Sequence, residues 1–232
     1  MSAFSAALDN AFESKRLRYI AVEDESDDYK GVLADMINEA SLQALSSEMI
    51  IRPQGKTDVQ FLATMYRKAL LGVAICLGPS EEQEEEEEPA DSAPPPSSDR
   101  QEQKTEKKKK KPTTIIGTLC IGWGGIPDSL RHNRNAYIGI TLARPYRGRG
   151  YGREALDWGV DWAFRHGNLH TLSLTTVSFN EVGQRLYESA GFAFVGRRRE
   201  VAWADRQWHD ELIYSMTETE WEALRGLRKE KS

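Results

Sequence analysis

The stretch "PYRGRGYGREALDW", residues 145–158, sets Gly148, Gly150 and Gly152 among Arg147, Arg149 and Arg153. Before it, "NAYIGITLA" (135–143) is rich in β-branched residues and reads as a strand. After it, Gly152, Ala155, Leu156, Gly159, Val160 and Ala163 recur at helical spacing, with Gly167 as a stop. Pro145 ends ladder pairing, and the glycines let the backbone turn sharply and approach another group closely. The order is therefore strand, turn, helix. A helix start exposes unsatisfied amides and a partial positive charge, here ringed by guanidinium groups, so the turn suits a polyphosphate. No Gly-Lys-Ser/Thr closes it as in a P-loop, and the glycines are too closely spaced for a dinucleotide fingerprint. A plain glycine turn and a disordered arginine-glycine RNA-binding segment are the competing readings. The second suffers because the stretch lies between regular elements.

Outward from this turn, "HTLSLTTVS" (170–178) predicts the next strand. A short helix and two closing strands follow, within "FAFVGRRREVAWADRQWHDELIYSMT", with Ala204 to Gln207 as their turn. Upstream, "RLRYIAVE" (16–23) predicts a strand and "DESDDYKGVLADMINEASLQALSS" a helical region. "TDVQFLATMYRKA" predicts a second helix, capped by Thr57 or Asp58, with Val59, Leu62, Met65 and Tyr66 on one side. "ALLGVAICLG" (69–78) and "TTIIGTLCIGW" (113–123) are two strands of one hairpin. Between them, residues 79–112 run through an acidic block, prolines and lysines with no apolar side chain larger than alanine. This composition predicts a disordered insertion in the loop between strands 2 and 3 of one domain spanning 1–232. The alternation of elements suits an α+β or mixed α/β fold.

A net charge of −5 and a pI near 5.5 argue against bulk nucleic-acid binding. Two cysteines, Cys76 and Cys120, sit in apolar runs and cannot build a disulfide framework, which favours a reducing compartment. No segment reaches the ~20 apolar residues of a membrane span. A cytoplasmic protein, monomer or homodimer, is expected. "KKKKKP" has the composition of a nuclear-import signal as well as of a solvated charge run.

Arg147 to Gly152 fits Arg/Gln-x-x-Gly-x-Gly/Ala, the acyl-CoA signature of the GNAT N-acetyltransferases, and "NEVGQRLYESAGF" (180–192) resembles that superfamily's second motif. The closing strands are similar to the RimJ/RimL-like branch, which holds ribosomal-protein N-terminal and spermidine acetyltransferases. The resemblance implies a mostly antiparallel seven-stranded sheet, split between strands 4 and 5, with acetyl-CoA in the split and no metal. Amides of Ile140 and Leu142 would then meet the pantetheine arm and the thioester carbonyl. Those of Arg149, Gly150 and Gly152 would meet the pyrophosphate, with Arg147 near by, and Asn180 would touch the cofactor beside capping its helix. Ser178 and Glu181 could form a capping box at the same helix start.

From pattern alone Tyr187 packs beside Leu186; the resemblance makes it the catalytic candidate, since a phenol can protonate the departing thiolate, and neither cysteine has a basic neighbour that would make it a nucleophile. The general base stays open among Glu200, Asp205, Asp210, Glu211, His170 and His209. Tyr137 stands where the spermidine enzymes carry a glutamate; with Glu200 and Asp210 it is a candidate for acceptor contact. Trp203 and Trp208 suit either an acceptor pocket or cross-strand packing. The expected reaction is direct acetyl transfer to a primary amine in a ternary complex. A small molecule in a closed anionic pocket is favoured as acceptor. A protein N-terminus or lysine in an open groove is the alternative, and a binding module without turnover is a second one.

Overall fold

The computed structural model describes residues 8, 10–46, 49–79, 81, 113–122 and 128–227. The predicted charged insertion lies outside the described residues except for Pro79 and Glu81. The chain runs β1 (Leu17–Ala21), α1 (Asp27–Ile37), α2 (Ala40–Ser46), α3 (Lys56–Arg67), β2 (Leu71–Leu77), β3 (Ile115–Gly122) and β4 (Asn135–Leu142). It continues with α4 (Tyr151–Arg165), β5 (Thr171–Val177), α5 (Glu181–Ser189), β6 (Ala193–Ala204), β7 (Gln207–Thr217) and α6 (Glu218–Leu224). The seven strands form one sheet in the order β1-β2-β3-β4-β5-β7-β6. This is the mixed α/β architecture expected from the sequence.

The two-residue period of a strand explains why β2 and β3 are apolar almost throughout. Val73, Ile75 and Leu77 point to one face, where Leu119, Ile121 and Ile138 meet Leu156 and Val160 of α4. Ala74 and Cys76 point to the other, against Tyr29, Leu33 and Met36 of α1 and Val59 and Ala63 of α3. The sheet is thus sandwiched between helices. On the α4 side the approach is close: a Cβ at Gly159 would lie 2.8 Å from Leu119 Cδ1 and 3.0 Å from Ile138 Cδ1.

Several local expectations change. The early helical region breaks at Asn38 and Glu39 into α1 and α2. Gly55, not Thr57 or Asp58, is the N-cap of α3; Asp58 reaches back to accept from the Gly55 amide at 2.8 Å. Met65 is exposed, and Ala63 takes the buried place on that helix. Ser178 builds no box with Glu181, since its hydroxyl accepts from the Asp210 amide at 3.2 Å. The β6–β7 turn falls where predicted, with Asp205 and Arg206 both at positive φ, +46° and +61°, as a tight hairpin of this hand requires. Helix α6 was not foreseen, although Thr217 and Glu220 form a capping box before it.

Every neighbouring strand pair is antiparallel except β4 and β5, which pair in parallel. That pairing covers only Asn135 with Thr171, Ala136 with Leu172 and Tyr137 with Ser173. Beyond it the two strands diverge. The seven-stranded sheet is therefore split where the resemblance implied.

Candidate functional site

The split gives β4 a second edge in the middle of the sheet. The Ala143 amide donates to the Ile116 carbonyl at 2.8 Å, toward β3. Because amide direction alternates along a strand, Thr141 and Gly139 share that direction. The amides of Ile140 and Leu142 therefore face the split, as expected. The Leu142 carbonyl faces it too, and accepts from Arg147 Nε at 2.8 Å. Tyr137 lies in the last β4–β5 pair, at the vertex, and is 36% exposed.

At the wide end of the split, a 3-10 turn over Arg144–Tyr146 leads into the glycine stretch. Gly148 and Gly150 have φ of +75° and +84°, conformations that favour glycine. Gly150 caps α4, and the first bond of the helix runs from the Glu154 amide to the Gly150 carbonyl at 3.2 Å. The amides of Tyr151, Gly152 and Arg153 precede that bond, so a helix start with its positive end stands beside the split. Gly152 faces Leu142 and Leu186 of α5, from which a Cβ would lie 3.6 and 3.9 Å, ordinary contact distances. Arg153 joins α4 to α5 through the Ser189 hydroxyl at 3.0 Å.

The arginines are braced by partners that spacing along the chain could not reveal. Both Arg147 terminal nitrogens donate to Glu39, at 2.8 and 2.9 Å, so the α1–α2 corner is latched to the turn. Hydrogen bonds from Arg147 and Ser41 hold the Glu39 carboxyl down to about 2. Arg147 thus serves as a pin between the β4 end and α2. From the start of β1, Arg16 donates to the Arg149 carbonyl at 3.0 Å and to Glu154 at 2.9 Å, and lies over the Tyr151 ring. Burial pushes the Glu154 carboxyl up, but hydrogen bonds from Ser14 and Arg16 outweigh it and leave the group below its ordinary value. The Arg149 guanidinium sits 6.0 Å over Tyr146. Tyr151 donates to Glu81, and burial together with that carboxylate pushes the phenol up to about 12.

Asn180 caps α5, accepting from the Gly183 amide at 3.0 Å while its own amide donates to Thr176 at 2.9 Å. A Cβ at Gly183 would fall 2.5 Å from the Asn180 side chain, which explains the glycine. Tyr187 follows Leu186 on α5 and packs on the main core, its ring 6.2 Å from that of Tyr214 on β7. Burial raises its phenol above the ordinary value, so it stays protonated at neutral pH. Burial likewise pushes the Cys120 thiol up to about 11, against any nucleophilic role.

Glu200 and Asp210 come together on the β5 side of the wide end, opposite the glycine turn, but in a structural knot. Asp210 accepts from the Glu200 amide at 2.9 Å, where Glu200 has a φ of +53°, and pairs with Arg197 at 3.3 Å. Glu211 is buried and held by Arg198 at 2.6 Å. Beside this knot lies a shallow apolar depression between α2 and the closing hairpin, with Trp203 in its lining.

The Acetyltransferase (GNAT) family model matches residues 79–192. The uncharacterized N-acetyltransferase YokL, of SPbeta prophage origin in Bacillus subtilis, is 30% identical over 95 residues, 40% of this chain and 54% of that protein. The chain thus spans about half the length of this curated relative. A GNAT-family acetyltransferase from Bacillus anthracis superposes with a TM-score of 0.62 at 14% identity, over 90% of this chain and 98% of the other. Spermidine N-acetyltransferase from Vibrio cholerae, solved with CoA and spermine, gives 0.63 at 15% identity over 90% and 99%. At these identities the structures share the fold.

Proposed function

We infer that this chain, a member of the GNAT acetyltransferase superfamily, transfers acetyl from acetyl-CoA to a primary amine by direct attack in a ternary complex. The observation that carries the reading is the split itself: strand amides at Ile140 and Leu142 and a helix start at Gly150 open on the same side of β4. A thioester bound there supplies an acyl carbon and a thiolate leaving group, so the new C–N bond forms as the C–S bond breaks.

The amides of Ile140 and Leu142 hold the pantetheine arm and take up negative charge developing on the carbonyl oxygen. The turn amides at Arg149, Gly150 and Gly152 hold the pyrophosphate, and the Asn180 carbonyl side of the cap flanks the arm. Tyr187 gives its phenolic proton to the departing sulfur; the proton lost by the acceptor nitrogen leaves to water and restores the phenol. We place the chain in the RimJ/RimL-like branch on the sequence of its closing hairpin.

The test is release of CoA thiol from acetyl-CoA across polyamines, aminosugars, amino acids and short peptides, beside a thermal-shift titration with acetyl-CoA. Acceptor-dependent thiol release is the expected result. A thermal shift with no acceptor turned over would make the chain a binding module, and no shift at all would overturn the site.

A further inference from the structure

A general acid works only while its proton stands within hydrogen-bond reach of the atom that receives it, and a displacement of about 1 Å can cost on the order of 100-fold in rate. Tyr187 does not secure that aim by itself. Among the described residues its hydroxyl makes no hydrogen bond, and burial is the cause of its raised phenol. What directs the ring is therefore the surface on which it rests.

That surface includes the ring of Tyr214, whose centroid lies 6.2 Å away with the planes at 53°, the spacing of a favourable tilted aromatic pair. Tyr214 is itself firmly held. It is 2% exposed on β7, between Leu174 of β5 and Phe194 of β6, and the Phe194 ring meets it edge-on at 5.6 Å. Its hydroxyl donates to Glu188 at 3.1 Å, and Glu188 directly follows Tyr187 on α5. Burial and that carboxylate both raise the Tyr214 phenol, so it stays the donor. The bond ties β7 to the turn of α5 that carries Tyr187. Tyr214 thus bears on the acid twice: its ring backs the Tyr187 ring, and its hydroxyl fixes the helix turn beneath it.

Resting on the acetyl-transfer reading, we propose that Tyr214 is a positioning residue for the reaction, holding the Tyr187 phenol in line with the departing sulfur. It acts through Tyr187 and Glu188 and gives up no proton of its own.

Wild type, Tyr214→Phe, Tyr187→Phe and the double variant test it on the full chain. The readout is thiol release from saturating acetyl-CoA with an equimolar mixture of spermidine, glucosamine, lysine and a decapeptide. Tyr214→Phe keeps the ring, and Glu188 is exposed, so the change leaves no buried charge unpaired. It should lower turnover about tenfold, the cost of a small misplacement, with the Kd for acetyl-CoA unchanged. In the Tyr187→Phe background the same change should cost less than about twofold, because effects that pass through one group do not add. Tyrosinate absorbance, titrated with and without Tyr187, should show its phenol moving down toward the ordinary value of 10 in Tyr214→Phe. An equal loss of turnover in both backgrounds would overturn the proposal, as would a lower melting temperature with turnover and titration unchanged. Unchanged turnover in Tyr187→Phe would overturn the acid role and the proposal together. No thiol release by the wild type would overturn the transfer reading, whereas an unmoved titration would overturn the coupling of the two tyrosines, so the two failures are told apart.

Discussion

The two walls of the split are built from different materials. On the β4 wall the useful groups are backbone amides, aimed by strand alternation, by two glycines at positive φ and by a helix start. Around them Arg147, Arg16 and Arg153 are tied down by Glu39, Glu154 and Asp157. On the β5 wall the exposed groups are side chains from segments distant in sequence, several of them half exposed. Backbone geometry is hard to alter one residue at a time, whereas exposed side chains can change with little harm to the fold. A fixed cofactor wall and an adjustable acceptor wall follow from that difference.

The comparison can be broken most forcefully at Tyr187. Tyr187→Phe should lower kcat about 100-fold, the lower range for loss of a general acid, with the Kd for acetyl-CoA unchanged. Since burial raises the phenol, the alkaline loss of wild-type turnover due to this group should fall above its ordinary value of 10. Steady-state kinetics against pH checks both. Next in size, Gly150→Val places a β-branched residue at φ +84°, a strain of about 1–3 kcal/mol. The turn amides should then lose their aim, and calorimetry should show the Kd for acetyl-CoA rising about tenfold or more.

The latch gives a smaller effect with its own pH signature. Glu39→Gln should destabilise the fold by about 1–2 kcal/mol at pH 7, the scale of lost charge-assisted hydrogen bonds. Folding holds the Glu39 carboxyl at about 2 against an ordinary 4.5. Its contribution is therefore full above pH 4.5 and is lost as pH falls toward 2. Melting curves of the wild type and the variant should converge over that window. Smallest of all, Trp203→Ala should change stability by less than about 0.5 kcal/mol, because the indole is largely in water. A large loss of melting temperature there would make the β5 wall structural and erase the distinction between the two walls.

The same difference governed what could be read from the chain. The cofactor wall was legible because strand, glycine turn and helix are adjacent in sequence, and spacing alone orders them. Leu156, Val160 and Ala163 lie buried along α4 as their period requires. The Asn180 cap was equally local. Glu39 left no signal, because its partner Arg147 is 108 residues away and only the meeting of α2 with the turn reveals the pair. Asp210 is a different case: near a hairpin a carboxylate is open to substrate contact or to capping a strand end, and in the structure it accepts from the backbone of a β6 irregularity. Helix α6 was within reach of the sequence, since its capping box is a four-residue pattern.

A parallel pairing of only three residue pairs between β4 and β5 also bears on how the amides trade protons with solvent. In most sheets the central strands exchange most slowly and the edges fastest. Here the order should invert within one strand. Thr141, bonded toward β3, should be well protected, while its neighbours Ile140 and Leu142 exchange as though they lay on the rim. Deuterium uptake along β4 would then alternate residue by residue in the middle of the sheet, and filling the split with CoA should flatten that alternation.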